Sequence, residues 1–89
     1  MKRVHAYFTG IVQGVGFRYT ATSLAKHAEA TGWTRNLSDG RVEIVAEGDR
    51  ERLEQFLDEL RQYFDTYVRE VQTEWQEATG EFNEFGVRF

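Results

Sequence analysis

The feature that most constrains the fold is the order in which the spacing of apolar residues changes along the chain. Lys2 to Thr9 alternates between two sets of side chains, with Val4, Ala6 and Phe8 sharing one side, as in a half-buried strand. From Arg18 the apolar residues take helical spacing. We expect this helix to end at Gly32, because glycine readily adopts the left-handed conformation that closes a helix. The chain therefore begins with a strand and continues into a helix.

A hairpin is predicted next. Residues 33–37 and 41–47 have strand character, and Ser38-Asp39-Gly40 separates them. An Asp-Gly pair supplies the positive φ angle that a tight turn between antiparallel strands requires. These two segments are therefore expected to pair with each other.

A second helix and two further strands complete the pattern. Asp49 is a candidate N-cap, and the residues after it form an apolar stripe at helical spacing. The stripe consists of Leu53, Phe56, Leu57, Leu60 and Phe64. A strand follows in which Tyr67, Val71, Thr73 and Trp75 share one parity, and residues 85–89 predict a short terminal strand.

The order strand, helix, strand, strand, helix, strand predicts an α+β ferredoxin-like βαββαβ fold. In this two-layer sandwich two helices cover one face of a four- to five-stranded antiparallel sheet. A chain of 89 residues has room for one core, so we expect residues 1–89 to form a single domain. This fold carries many unrelated functions, so the function must be argued from a site.

Composition excludes several kinds of site. The chain has no cysteine, so it offers no thiolate nucleophile, thiolate-bound metal or disulfide, and we expect a cytoplasmic protein. With 15 acidic and 11 basic residues the net charge is −4, which disfavours nucleic acid as a partner. No apolar run is long enough to predict a membrane partner or a targeting signal. We expect a monomer that needs no metal and no cofactor.

A glycine-containing loop joins the first strand to the first helix. Gly10, Gly14 and Gly16 allow its backbone to curve so that several N–H groups point to one place, at the positive end of a helix dipole. Arg18 adds a guanidinium group, which matches phosphate oxygens in pairs. The residues alone favour an ordinary strand-to-helix turn with a solvated arginine over a phosphate site. The loop lacks the lysine and hydroxyl of a P-loop and the spacing of a dinucleotide-binding motif.

Two segments carry a specific resemblance. Residues 10–18, Gly-Ile-Val-Gln-Gly-Val-Gly-Phe-Arg, resemble the first signature of the acylphosphatase family. Residues 32–42, Gly-Trp-Thr-Arg-Asn-Leu-Ser-Asp-Gly-Arg-Val, followed by Gly48, resemble the second. The similarity extends to Trp75 and to the segment 79–82. Two departures stand out: Thr34 occupies a position usually held by a small apolar residue, and residues 61–66 lack a turn rich in glycine and proline.

The resemblance implies an activity and a set of site residues. The family hydrolyses carboxyl-phosphate bonds of small acyl phosphates to a carboxylate and inorganic phosphate, and phosphate is expected as product and inhibitor. Loop amides and an arginine bind the phosphate, and an asparagine orients the attacking water. Carried over residue by residue, these roles fall on Gln13, Gly14, Val15, Gly16 and Phe17 for the loop, on Arg18, and on Asn36. His5 and His27 are expected to be structural or surface residues.

Two other functions remain open from the sequence. One is a non-catalytic module of the same fold that binds phosphate or carbamoyl phosphate, which would bind phosphate without turning over an acyl phosphate. The other is a ferredoxin-like RNA-binding module, against which the acidic balance and the missing aromatic RNA-binding motif argue.

Overall fold

The computed structural model describes every residue from Met1 to Phe89 and contains five strands and two helices. In chain order these are β1 (Lys2–Gly10), α1 (Phe17–His27), β2 (Thr31–Asn36), β3 (Val42–Gly48), α2 (Arg50–Tyr63), β4 (Val68–Glu77) and β5 (Phe85–Val87). The strands form one sheet in the order β4-β1-β3-β2-β5. The predicted ferredoxin-like fold and its short terminal strand are confirmed. Neither helix is long and apolar enough to cross a membrane.

The core lies between the two helices and one face of the sheet. Val4, Ala6 and Phe8 of β1 are fully buried, as their alternation predicts. They belong to one cluster of 17 buried apolar residues, to which both helices contribute. The stripe predicted for α2 is confirmed, since all five of its residues are buried. Asp49 caps this helix, because its Oδ2 accepts a hydrogen bond from the Arg52 backbone N–H at 3.2 Å.

The predicted hairpin joins β2 to β3. Gly40 has a φ of 95°, and the Leu37 N–H donates to the Arg41 carbonyl at 2.8 Å. Asp39 Oδ1 accepts from the Arg41 N–H at 3.1 Å and fixes the turn further. The pairing of β2 with β3 runs from Thr31 and Glu47 at one end to Asn36 and Val42 at the turn.

The expectation of an all-antiparallel sheet is wrong at one edge. The pairings of β1 with β3, β1 with β4 and β2 with β3 are antiparallel, but β5 pairs in parallel with β2. These pairings place the end of β4 at the end of the sheet where β2 begins. The chain crosses from one sheet edge to the other at that end, so β5 has to run in the same direction as β2.

The first helix ends earlier than Gly32, so that expectation is also wrong. Its C-cap is Ala28, and Glu29 takes the left-handed conformation with a φ of 56°. The Ala30 N–H donates to Ala25 O at 2.9 Å and the Glu29 N–H to Lys26 O at 3.1 Å, which closes the helix as a Schellman motif. Gly32 instead lies in β2, where a Cβ atom would be 1.9 Å from the Val45 carbonyl oxygen. This glycine is required for close approach of two strands.

A bulge changes the parity predicted for β4. The register between β1 and β4 shifts at Thr9 and Gly10, which pair with Glu70 and Val68. One extra residue on β4 therefore moves Val68, rather than Tyr67, to the half-buried side with Val71 and Trp75. Tyr67 precedes the strand and is exposed.

Candidate active site

Two buried side chains hold the loop between β1 and α1 in place. Val12 is fully buried and Phe17, the first residue of α1, is 1% exposed. The ring centroid of Phe17 lies 5.0 Å from that of Phe8 and 4.9 Å from that of Phe64. The residues between Val12 and Phe17 therefore form a short arch whose two ends are fixed in the core.

Hydrogen bonds tie the same loop to two neighbouring turns. The Ile11 N–H donates to the Tyr67 carbonyl at 2.8 Å. Gln13 Nε2 donates to the carbonyls of Leu37 at 2.8 Å and Arg41 at 3.0 Å. The side chain of Gln13 thus joins the loop to the β2–β3 hairpin, which leaves its backbone N–H as the group that could meet a ligand. This structural role could not be predicted from the sequence.

The backbone N–H groups of the loop are left without acceptors. From Val12 to Gly16 none donates to another backbone or side-chain group. Gly14 and Gly16 have φ angles of 77° and 81°, and a Cβ at either would meet no atom within 4 Å. Glycine is therefore required by the backbone conformation and not by crowding. Consecutive free N–H groups in such a curve form a concave site for an anion.

The N-terminus of α1 adds to this positive site. Gly16 is the N-cap, no side chain caps the helix, and the first turn contains no acidic residue. The first N–H groups of a helix have no partner within the helix, and its dipole favours negative charge there. The α1 end is therefore suited to an anionic ligand.

Arg18 is the second residue of α1 and forms no ion pair with an acidic group of the chain. Its guanidinium carbon lies 5.2 Å from the centroid of the Phe89 ring. The charge is half-buried and unneutralised, so it is available to a ligand.

A cavity of about 190 Å³ brings most of the predicted residues together. Its lining consists of Val12, Gly14, Gly16, Phe17, Arg18, Tyr19 and Asn36. Gln13 and Val15 do not line it: Gln13 binds the hairpin, and Val15 packs against the core. Tyr19 is an addition that the sequence pattern did not single out.

Asn36 reaches this cavity from the last position of β2. Its Oδ1 is buried and accepts no hydrogen bond from the protein. A buried amide oxygen without a partner is uncommon, and it marks a position where a ligand or water is expected to bind. Thr34 Oγ1 is also buried without a partner, but Thr34 does not line the cavity. Thr34 occupies a position usually held by a small apolar residue in the family. Here it therefore places a hydroxyl without a hydrogen-bond partner in the core.

The two histidines do not line the cavity. His5 Nε2 lies 2.5 Å from Glu43 Oε2 on β3, and His27 is exposed on α1. Burial raises the pKa of Glu43, but hydrogen bonds from Arg35 and His5 outweigh that effect and lower the pKa below its usual value. No three His, Cys, Asp or Glu residues come together in a way that would hold a metal ion.

Comparisons with known proteins agree on one family. The Acylphosphatase family model matches residues 4–87. An acylphosphatase of Methylococcus capsulatus is 46% identical over 93 residues, which covers 98% of this chain and 96% of that protein. The crystal structure of acylphosphatase from Bacillus subtilis superimposes with a TM-score of 0.91 at 29% identity and covers both chains fully. The crystal structure of T. kodakarensis HypF matches with a TM-score of 0.84 at 30% identity, over 100% of this chain and 12% of that chain. The chain therefore belongs to the acylphosphatase family of hydrolases.

Proposed function

We propose that the chain hydrolyses the carboxyl-phosphate bond of small acyl phosphates, giving a carboxylate and inorganic phosphate. One juxtaposition carries this proposal: free backbone N–H groups of the loop and the unpaired Arg18 border the same cavity as Asn36, whose buried amide oxygen has no partner in the protein. The first two features suit a phosphoryl group, and the third suits the water that attacks it.

In this proposal the phosphoryl group is bound by backbone N–H groups from Gln13 to Phe17 and by Arg18. Phosphoryl transfer passes through a loose transition state in which charge spreads over the phosphoryl oxygens. Preorganised donors stabilise such charge without reorganising, and one donor can be worth about 3 kcal/mol. Several loop N–H groups and one guanidinium would thus supply much of the catalysis by binding and positioning.

Asn36 orients the attacking water. A carboxamide offers an acceptor and two donors, so it fixes the direction of a water molecule without removing its proton. No carboxylate or histidine lines the cavity to serve as a strong base. The leaving group is a carboxylate of low pKa, which departs without a general acid, so the sparse set of side chains is sufficient.

The same site should bind inorganic phosphate as product and competitive inhibitor, since phosphate keeps the group that the loop recognises. We also propose that the chain acts as a monomer. We place it in the cytoplasm, a location that the absence of cysteine favours.

A second candidate is a non-catalytic module that binds phosphate or carbamoyl phosphate. The likeness to 12% of a HypF chain favours it, because the same fold also occurs as a part of a much longer protein. The two candidates differ in turnover and not in phosphate binding.

The deciding experiment measures hydrolysis of benzoyl phosphate without added metal, for the wild type and for Asn36→Ala, with Asn83→Ala as control. Asn83 is exposed and lies outside the cavity. We expect turnover by the wild type and by Asn83→Ala, inhibition by inorganic phosphate, and a loss of about a hundredfold in kcat for Asn36→Ala, as for a lost positioning group.

A phosphate titration followed by amide NMR separates the two candidates. Shifts confined to residues 12–18, without turnover of benzoyl phosphate, would replace the enzyme with the binding module. Absence of both shifts and turnover would exclude both.

A further inference from the structure

A groove lies beside the cavity along the outer side of α1. Its volume is about 480 Å³, and Arg18, Tyr19, Ser23 and Lys26 of α1 line one side while Val87 and Phe89 line the other. Arg18 and Tyr19 also line the cavity at the loop. A substrate whose phosphoryl group is held at the loop can therefore extend its acyl part past Arg18 into the groove.

The charged side chains that line the groove are both positive, in a chain of net charge −4. Neither Arg18 nor Lys26 forms an ion pair, and no Asp or Glu side chain lines the groove. A cleft lined by one sign of charge raises the local concentration of the opposite ion. The ligand that this groove suits is an anion.

Helix geometry places the two charges at opposite ends of the groove. Positions 18, 22 and 26 lie on one side of α1, and eight residues separate the Cα atoms of Arg18 and Lys26 by about 12 Å along the axis. Side chains lean toward the N-terminus of a helix, which carries both charged groups in the same direction and leaves a span of about 12 Å between them. This span suits one acyl group with an anion at its far end.

Apolar surface lies between the two charges. Tyr19 is 81% exposed, Val87 is 40% exposed and Phe89 is 98% exposed. These side chains offer an aliphatic or aromatic acyl group surfaces on both sides of the groove. The groove therefore combines an apolar middle with a positive far end.

The inference about the groove rests on the proposed function. We propose that the groove binds the acyl part of the substrate, and that Lys26 makes the enzyme prefer acyl phosphates whose acyl part carries a second anionic group. Lys26 is a specificity residue in this proposal, with no role in binding the phosphoryl group.

The test compares benzoyl phosphate with 4-carboxybenzoyl phosphate, whose rigid ring directs a carboxylate away from the phosphoryl group. Lys26→Gln should lower the ratio of kcat/KM for the carboxylated substrate to kcat/KM for benzoyl phosphate about threefold, the size expected for an exposed ion pair. Lys26→Glu should lower it about tenfold, because attraction becomes repulsion. Higher salt should weaken the wild-type preference by screening.

Arg61→Gln is the matched control. Arg61 is the basic residue in the last turn of α2, as Lys26 is in α1, and it too is exposed and unpaired. Its loss removes the same charge and should change neither substrate. The selectivity proposal is overturned if Lys26→Gln leaves the ratio of the two kcat/KM values unchanged while benzoyl phosphate is still hydrolysed. If the folded wild type hydrolyses neither substrate, the proposed function itself fails and this step fails with it.

Discussion

The two helices begin in opposite ways. At the start of α2, Asp49 accepts a hydrogen bond from the Arg52 N–H, and Glu51 places negative charge in the first turn. At the start of α1, Gly16 offers no side chain, and the first turn holds no acidic residue. A capped N-terminus is worth about 1 kcal/mol, so α1 forgoes a stabilisation that α2 has. The comparison indicates that α1 leaves its donors free for a ligand.

A third set of backbone N–H groups, in residues 79–80, resembles the α1 site with an anion already bound. The carboxylate of Glu47 accepts from the N–H groups of Thr79 at 2.8 Å and Gly80 at 2.9 Å, and from Arg3 Nε at 2.7 Å. Burial raises the pKa of Glu47, but these hydrogen bonds outweigh it and lower the pKa to about 2. Backbone N–H groups and an arginine thus bind an anion within this chain, as we propose that the α1 end binds a phosphoryl group.

Removal of the arginine at the open helix should have the largest effect. We expect Arg18→Ala to lower kcat/KM for benzoyl phosphate about a thousandfold, because it removes a charge placed against the phosphoryl oxygens. Arg52→Ala removes an arginine from the first turn of α2, where it pairs with Glu29, and should leave kcat/KM unchanged. Near wild-type activity in a folded Arg18→Ala variant would mean that the two helices do not differ in function at their N-termini.

The next effect concerns Gly16, the N-cap of α1. Gly16→Ala and Gly80→Ala both place a Cβ at a positive φ in open space, so each should cost about 1–2 kcal/mol of stability. We expect only Gly16→Ala to lose activity as well, about a hundredfold in kcat/KM, because it displaces the loop N–H groups. Urea unfolding and benzoyl phosphate hydrolysis measure the two effects. Equal activity in both variants would mean that the φ angle at Gly16 serves stability alone.

Much of the fold could be predicted because local periodicity decides it. The alternation in β1 and the stripe in α2 each identify their own buried face. The direction of β5 could not be predicted from local periodicity, because it depends on where β4 ends at the far edge of the sheet. The prediction for Gly32 was wrong for a related reason. A glycine can end a helix or allow two strands to approach closely, and the Val45 carbonyl that decides between these roles is remote in sequence.

Part of the candidate site could likewise be predicted from the sequence, and part could not. The sequence singled out Arg18, the glycine loop and Asn36, and the fold places Arg18, Gly14, Gly16 and Asn36 around one cavity. The side chain of Gln13 could not be assigned, because its acceptors are carbonyls 24 and 28 residues away. A glutamine side chain can either contact a ligand or bind backbone carbonyls. Only the positions of the hairpin carbonyls distinguish these two roles.

Removing the internal anion should have an intermediate effect that depends on pH. Glu47→Gln loses charge-assisted hydrogen bonds and should lower the free energy of unfolding by about 2 kcal/mol at pH 7. A lowered carboxyl pKa stabilises the fold above the unfolded pKa of about 4.5, and this contribution is lost as the pH falls toward 2. Urea unfolding at pH 7 and pH 3 should therefore show a smaller difference between the two proteins at pH 3. A constant difference would mean that Glu47 acts through packing.

The smallest effect is expected at the capped helix. Asp49→Ala should cost about 1 kcal/mol of stability, whereas Asp49→Asn, which keeps an acceptor at the cap, should cost less. Neither should change kcat/KM for benzoyl phosphate. Saturating inorganic phosphate should raise the stability of Asp49→Ala and of the wild type by the same amount, because it binds the folded state at α1 and not at α2. A larger gain in Asp49→Ala would mean that phosphate also occupies the exposed N-terminus of α2, and the two helix ends would then differ in the presence of a cap and not in their affinity for a ligand.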